Sequence, residues 1–371
     1  MVLPEAKQET RKIADFLLKE IDRLITKPVR LMEVCGTHTV AIFRAGIRQV
    51  LPPQVELVSG PGCPVCVTSD DYMDMAIAYA KRSDVIIATF GDMLKVPGSV
   101  SSLGEAKASG ADIRIVYSPL ESLAVAVENP QKKVIFLAVG FETTAPTAAA
   151  TVLSAAEQNL KNFFVLSAHK LVPPALRTLL ADPKVKVDGF ILPGHVCAIT
   201  GEEPFQFLPK EYRMPAVVAG FEPLDILQAV YMLAKQIHDG KPAVENAYSR
   251  VVKQQGNPVA RKMLSEVYEP ADAVWRGIGL IPESGLRVNE RYKDFDAEVA
   301  LPIEIETTVK PTACRCGEVL RGLIKPTECG LFGKVCLPQH PVGACMVSVE
   351  GSCAAWYKYG SGRYQYGTGN N

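Results

Sequence analysis

The sequence predicts an α/β protein with two parallel-sheet units and a Cys-rich third region, and two observations carry that prediction. From residue 28 to residue 221 a simple grammar repeats: a short apolar run, a turn bearing Gly or Pro, then a stretch with helical spacing. Parallel strands joined by crossover helices read this way in a sequence. The second observation is the uneven placement of ten cysteines. Cys35, Cys63 and Cys66 lie early, Cys197 stands alone, and Cys314, Cys316, Cys329, Cys336, Cys345 and Cys353 crowd the C-terminal end. Two distinct sites are expected from that split.

The strand candidates are the runs at 29–34, 55–60, 84–90, 113–118, 134–140, 163–169, 187–194 and 215–221. Most are apolar at consecutive positions, as strands covered on both faces must be. They form two sets of four on either side of the polar segment NPQKK at 129–133, so the expected units are residues 28–128 and 129–221. Residues 1–27 read as an amphipathic helix expected to pack with the C-terminal region. Residues 222–371 open with an amphipathic helix that ends at Gly240, continue as mixed helix and loop over 242–310, and close in a stretch rich in Gly, Pro and Cys. Such a stretch buries little core by itself. A metal cluster would supply the missing cross-links.

Composition narrows the classes of function. Forty Lys plus Arg balance forty Asp plus Glu, so no global field favours nucleic acid or an anionic membrane. No segment approaches the roughly eighteen apolar residues of a membrane span, and the N-terminal helix lacks the apolar run of a signal peptide. A cytoplasmic location is expected, where cysteines serve metal binding or redox chemistry before structural disulfides.

In parallel α/β units ligands bind beyond the carboxyl ends of strands. The first run leads into Cys35-Gly-Thr-His38-Thr, the second into Gly60-Pro-Gly-Cys63-Pro-Val-Cys66, and the third into Gly91-Asp92. These loops are expected to bring Cys35, Cys63, Cys66, His38 and Asp92 to one rim. Cys63 and Cys66 form a CxxC, a spacing that suits two thiolates on one metal or a redox-active pair. With Cys35 they make a three-thiol set for a soft metal with room for exchangeable ligands. The later runs lead into Glu142-Thr143-Thr144, His169-Lys170 and His195-Val-Cys197, so Glu142, His169 and His195 are expected on a second rim as acid, base and donor groups. Thr143 and Thr144 equally suit the cap of a following helix.

The C-terminal cysteines are the strongest signal. Cys329-x6-Cys336-x8-Cys345-x7-Cys353 is spaced more widely than the paired motifs of a zinc ribbon, and Cys314-Arg-Cys316 adds two more thiols. A [4Fe–4S] cluster needs four thiolates and tolerates varied spacing, while zinc is the competing metal. The expected cluster ligands are Cys329, Cys336, Cys345 and Cys353. Cys316 stands as an alternative to Cys345, because six thiols for four places are not resolved by spacing. The two surplus cysteines suit a pair that cycles between thiol and disulfide.

Taken together, CGTHT (35–39), GPGCPVCVT (60–68), GFETTAPT (140–147), PGHVCAITG (193–201), CRCGEVLRG (314–322) and the Cys-rich ending over 329–360 resemble the hydrogenase maturation factor HypD family. The resemblance implies two Rossmann-like α/β domains with a third domain that holds a [4Fe–4S] cluster. It implies a scaffold and redox role in assembling the Fe(CN)2CO group of [NiFe]-hydrogenases, with no independent substrate turnover. The implied partners are a HypC-type chaperone and a HypE-type cyanide donor. By the same resemblance Cys35 holds mononuclear iron carrying cyanide and CO ligands, Cys63 and Cys66 are redox-capable, and His38 is the histidine of the CGTHT motif. Three other readings share parts of the pattern: an iron–sulfur-dependent thiol–disulfide reductase, a zinc hydrolase that activates water, and an interaction scaffold with a structural cluster.

Overall fold

A computed structural model of the protein describes residues 5–305 and 313–360. All eight expected runs are strands: β1 (Val29–Glu33), β2 (Val55–Ser59), β3 (Val85–Thr89), β4 (Ile113–Ile115), β5 (Lys133–Ala138), β6 (Phe163–Ser167), β7 (Gly189–Pro193) and β8 (Ala216–Ala219). Their consecutive apolar residues are explained by burial on both faces. In the first sheet Met32, Val58, Phe190 and Val218 join one core, while Leu31, Leu57, Ile191 and Val217 join another. The second sheet divides likewise, with Ile87, Ile135 and Leu166 on one side and Ile86, Phe136 and Val165 on the other. All pairings in both sheets are parallel.

The sheets do not divide at residues 129–133. One has the order β2-β1-β7-β8-β9, with β9 (Val244–Asn246) as a short edge strand, and the other has the order β4-β3-β5-β6. Leu31 of β1 pairs with Gly189 of β7, and Val85 of β3 pairs with Lys133 of β5. The expected units 28–128 and 129–221 therefore each contribute strands to both sheets, and NPQKK is only the approach to β5. Chain order was read as spatial order, whereas the second sheet is an insertion between β2 and β7. The N-terminal helix Glu5–Leu24 lies on the first sheet against the helix Pro223–Asp239, with Leu17, Ile21 and Leu24 in the same core as Ile226 and Val230.

Residues 242–310 hold more than mixed helix and loop. β10 (Tyr268–Trp275) and β11 (Gly279–Val288) form an antiparallel hairpin with an irregularity between Ala271 and Ala273. Pro270 and Pro282 disguise these strands, since proline reads as a strand breaker. The hairpin ties the molecule together. Trp275 is buried, donates its Nε1–H to Ser284 Oγ (2.8 Å) and stacks on Phe141. Arg276 donates to the Thr68 and Pro97 carbonyls (2.6 and 2.8 Å) and pairs with Asp70. Gly277, at φ +72°, lies so close to Gly317 that a Cβ would come within 2.5 Å of its Cα. No helix among the described residues is long and apolar enough to cross a membrane.

Candidate functional site

Strand ends from both sheets meet at a cleft of about 730 Å³. Its lining includes Cys35, Asp92, Phe141, Thr143, His195 and Glu350. Cys35 is the cap residue of the helix Gly36–Arg44, with extended backbone at φ −148°. Cys63 caps the short helix Pro64–Val67, where its sulfur accepts from the Cys66 N–H (3.3 Å). The two cysteine loops touch through backbone: Gly36 N–H donates to the Gly62 carbonyl (2.8 Å), and a Cβ on Gly62 would stand 2.3 Å from Cys35 N. Only glycine permits that approach.

This geometry separates the three early thiols. Cys35 opens onto the cleft, whereas Cys63 and Cys66 are buried. Among the described residues no three His, Cys, Asp or Glu side chains gather tightly enough to hold one metal ion. The expected set Cys35, Cys63 and Cys66 is thus not assembled around one point, because Cys63 turns inward to cap its own helix. Burial pushes the Cys35 thiol up to about 12, helped by nearby Glu350 and opposed by the N–H groups of Thr37 and His38.

His38 and His195 clasp Phe221 from opposite sides. His38 is fully buried, stacks on Phe221 at 4.6 Å and donates from Nε2 to the Gly220 carbonyl (2.9 Å). Burial lowers it to about 4, so it is neutral near pH 7. His195 stacks on the same ring at 3.9 Å, and its imidazole is also lowered by burial. Glu350 arrives from the Cys-rich region and accepts from Thr37 Oγ1 (2.7 Å), joining that region to the CGTHT loop. Sequence reasoning missed Glu350, since a single acid between two cysteines carries no spacing signal.

The second expected rim does not form. His195 reaches the cleft, but His169 is buried edge-on against Tyr268 and lowered to about 3 by desolvation. Glu142 points away from the cleft and accepts from the Val172 N–H (2.9 Å) at the start of the helix Val172–Ala181. Thr144 occupies the cap position of the helix Ala145–Glu157 without a side-chain cap bond, and Thr143 and Thr144 line the cleft instead. Cys197 is fully buried in the core.

The C-terminal thiols enclose a small cavity. Cys314, Cys316, Cys329, Cys336 and Cys353 line it, together with Phe332 and Met346. Cys345 does not. It is fully buried, and its thiol interacts electrostatically with those of Cys316, Cys353 and Cys66. Cys314 and Cys316 lie with sulfurs 3.0 Å apart, which raises the Cys314 thiol and lowers that of Cys316. No disulfide joins any two cysteines among the described residues. Five soft donors around one cavity fit the demand of an iron–sulfur cluster for four thiolates, and Cys345 continues the line of sulfur from that cage to the CxxC.

Fold and site together define a parallel α/β protein whose strand ends present a thiol to a cleft and connect through buried sulfur to a cysteine cage. The family model described as "Hydrogenase formation hypA family", labelled HypD, matches residues 11–360. The chain is 46% identical over 363 residues to the hydrogenase maturation factor HypD of Rhodobacter capsulatus, covering 95% of this chain and 96% of that one. It is 46% identical to HypD of Escherichia coli K12 (90% of each chain), and 46% identical to a putative hydrogenase expression/formation protein of Methanocaldococcus jannaschii (92% and 94%). The chain belongs to the HypD family of hydrogenase maturation factors.

Proposed function

We propose that the protein is the scaffold and redox factor on which the Fe(CN)2CO group of [NiFe]-hydrogenases is assembled, in complex with a HypC-type chaperone and receiving cyanide from a HypE-type donor. The observation that carries this reading is the single line of thiols from the cage through Cys345 to Cys66, ending beside the loop that presents Cys35 to the cleft. Iron is the cargo. Cys35 is its ligand from this chain, and the thiol must shed its proton to bind, so iron loading rises with pH. Glu350 and His195, on the same walls, are among the polar groups available to orient ligands arriving at that iron.

Of the five thiols around the cavity, Cys316, Cys329, Cys336 and Cys353 are our choice of ligands, so Cys316 takes the fourth place in preference to Cys345. When bound there, a [4Fe–4S] cluster supplies electrons one at a time. Cys345, in contact with both the cage and Cys66, serves as the link. Its thiol would exchange with an oxidised Cys63–Cys66 pair: the Cys345–Cys66 bond would form, the Cys63–Cys66 bond would break, and Cys63 would leave with the proton given up by Cys345. Two electrons and two protons then complete the reduction of the pair.

A second reading, an iron–sulfur-dependent thiol–disulfide reductase, is favoured by the same Cys66 to Cys345 contact and needs no iron at Cys35. Oxygen-free purification with iron and sulfide counts, electron paramagnetic resonance and infrared spectra separates the two. Loss of the cluster in Cys329→Ala but not in Cys35→Ala, with cyanide and CO bands that vanish only in Cys35→Ala, supports assembly. A brown protein without those bands in complex with its partners leaves the reductase, and a colourless zinc protein ends both.

A further inference from the structure

Two consecutive residues of the Cys-rich region turn their backbone toward one sulfur. Val342 donates its N–H to Cys336 Sγ at 3.3 Å, and the N–H of Gly343 also stabilises negative charge on that sulfur. The residues between Cys336 and Val342 prepare this arrangement. Leu337 and His340 exchange backbone hydrogen bonds (3.0 and 3.2 Å) around Pro338-Gln339, and proline at the second position of a four-residue turn is pre-set for it. The chain therefore reverses directly after Cys336. Pro341 has no N–H, so Val342 carries the first amide hydrogen that the returning chain can offer to the sulfur.

Gly343 shows how tightly this segment is pressed among the thiols. Its backbone is extended, at φ −123°, a conformation open to any residue. A Cβ there would nevertheless come within 2.4 Å of Cys316 Sγ and 2.5 Å of Cys314 Sγ. Glycine serves the close approach and not the backbone angle. Among the described residues, the sulfurs of Cys316, Cys329 and Cys353 accept no backbone N–H, so the donors are concentrated on one corner of the cage. A neutral thiol is a weak acceptor. A thiolate bound to iron carries negative charge, and hydrogen bonds to ionised acceptors are roughly twice as strong.

We propose that Val342 is a positioning residue for the electron supply: its N–H, donated to Cys336, raises the reduction potential of the cluster held in the cage. The inference rests on the reading above, in which Cys336 is one of four ligands of a [4Fe–4S] cluster. Reduction adds negative charge that spreads onto the ligand sulfurs, and an N–H held against one of them stabilises the added charge. A milder donor can then fill the cage, with correspondingly less drive to pass electrons on toward Cys345. Because the donor is backbone, a change of side chain at 342 leaves it in place, and only loss of the amide hydrogen removes it.

Replacement of Val342 by its α-hydroxy acid turns that one amide into an ester in the full-length chain, and Val342→Ala is the control that keeps the N–H. Each protein is purified without oxygen, its iron and sulfide are counted, and its midpoint potential is read by a redox titration followed by electron paramagnetic resonance. The ester chain is expected to load fully but to titrate lower, by about a tenfold change in the oxidised-to-reduced ratio, which is about 59 mV for one electron. Val342→Ala should match the parent. A second measurement needs no variant: the reduced parent, labelled with nitrogen-15 at valine, should show a hyperfine coupling from the labelled amide. A loaded ester chain with the parent's potential, a Val342→Ala shift as large as the ester's, or a reduced parent without that coupling overturns the proposal. A parent chain that holds zinc and no sulfide overturns the cluster reading itself, and this inference with it.

Discussion

The two cysteine regions are held in place by different physics. Cys35, Cys63 and Cys66 sit at the ends of β1 and β2, where a five-residue parallel ladder, two helix caps and the Gly62 contact fix the backbone. The six later cysteines sit among short helical turns, and the core that Cys316, Cys336, Cys345 and Cys353 join is shared with the first sheet. The early thiols are placed by secondary structure and need nothing bound to stay there. Those of the cage depend on whatever the cage holds, because metal binding and folding are one equilibrium where regular structure is scarce.

The sharpest way to break this contrast is Cys329→Ala. The expected result is complete loss of iron and sulfide, with rapid proteolysis confined to residues 313–360 while the parallel sheets keep their amide protection. Equal exposure of both regions in hydrogen exchange would show that the cage also supports the sheets. Next in size is Trp275→Ala, which removes the ring linking the hairpin to Phe141 and to the segment after the CxxC. Chemical unfolding should report a loss of about 3–5 kcal/mol.

A smaller effect sharpens the comparison within the first region. Glu33 is fully buried beneath Cys35 and accepts from the Thr39 hydroxyl (2.7 Å); desolvation pushes its carboxyl up to about 7 from an ordinary 4.5. A raised acid favours the folded state while protonated. Its contribution is full below pH 4.5 and is lost as pH rises through 7. At about 1.4 kcal/mol per unit, the loss is on the order of 3 kcal/mol. Glu33→Gln should flatten the stability profile between pH 5 and 8 by that amount, and an unchanged slope counts against the buried carboxyl. The mildest test is alkylation of Cys35. Its rate should still climb at pH 10, where an ordinary thiol has levelled off, and Glu350→Gln should shift the rise to lower pH.

Strand existence was legible because runs such as VIIA and VIFLA are apolar at every position, as strands buried on both faces are. Neighbour relations were not. Nothing in β1 says that its second partner lies beyond residue 180, since parallel pairing leaves no local turn to read. The CGTHT and CxxC loops were legible from their Gly and Pro spacing, and the six-thiol cluster from density alone. Choosing Cys345 for the cage was not decidable from intervals, because its contact with Cys66 spans nearly the whole chain. The rim of Glu142, His169 and His195 failed for a local reason: Glu142 turns to the Val172 N–H and His169 packs against Tyr268, so only His195 reaches the cleft.

The insertion of one sheet inside the other also sets an order of events. Strands β3 to β6 are contiguous in the chain, so the inner sheet can close as soon as residues 85–167 have left the ribosome. The outer sheet must wait, holding β1 and β2 as an unfinished pair until β7 and β8 arrive to complete it. During that interval the edge of β1 that will accept β7 is bare and open to mispairing. Because Cys35 follows β1 directly, the cleft it lines is finished only after most of the chain exists and the outer sheet has closed.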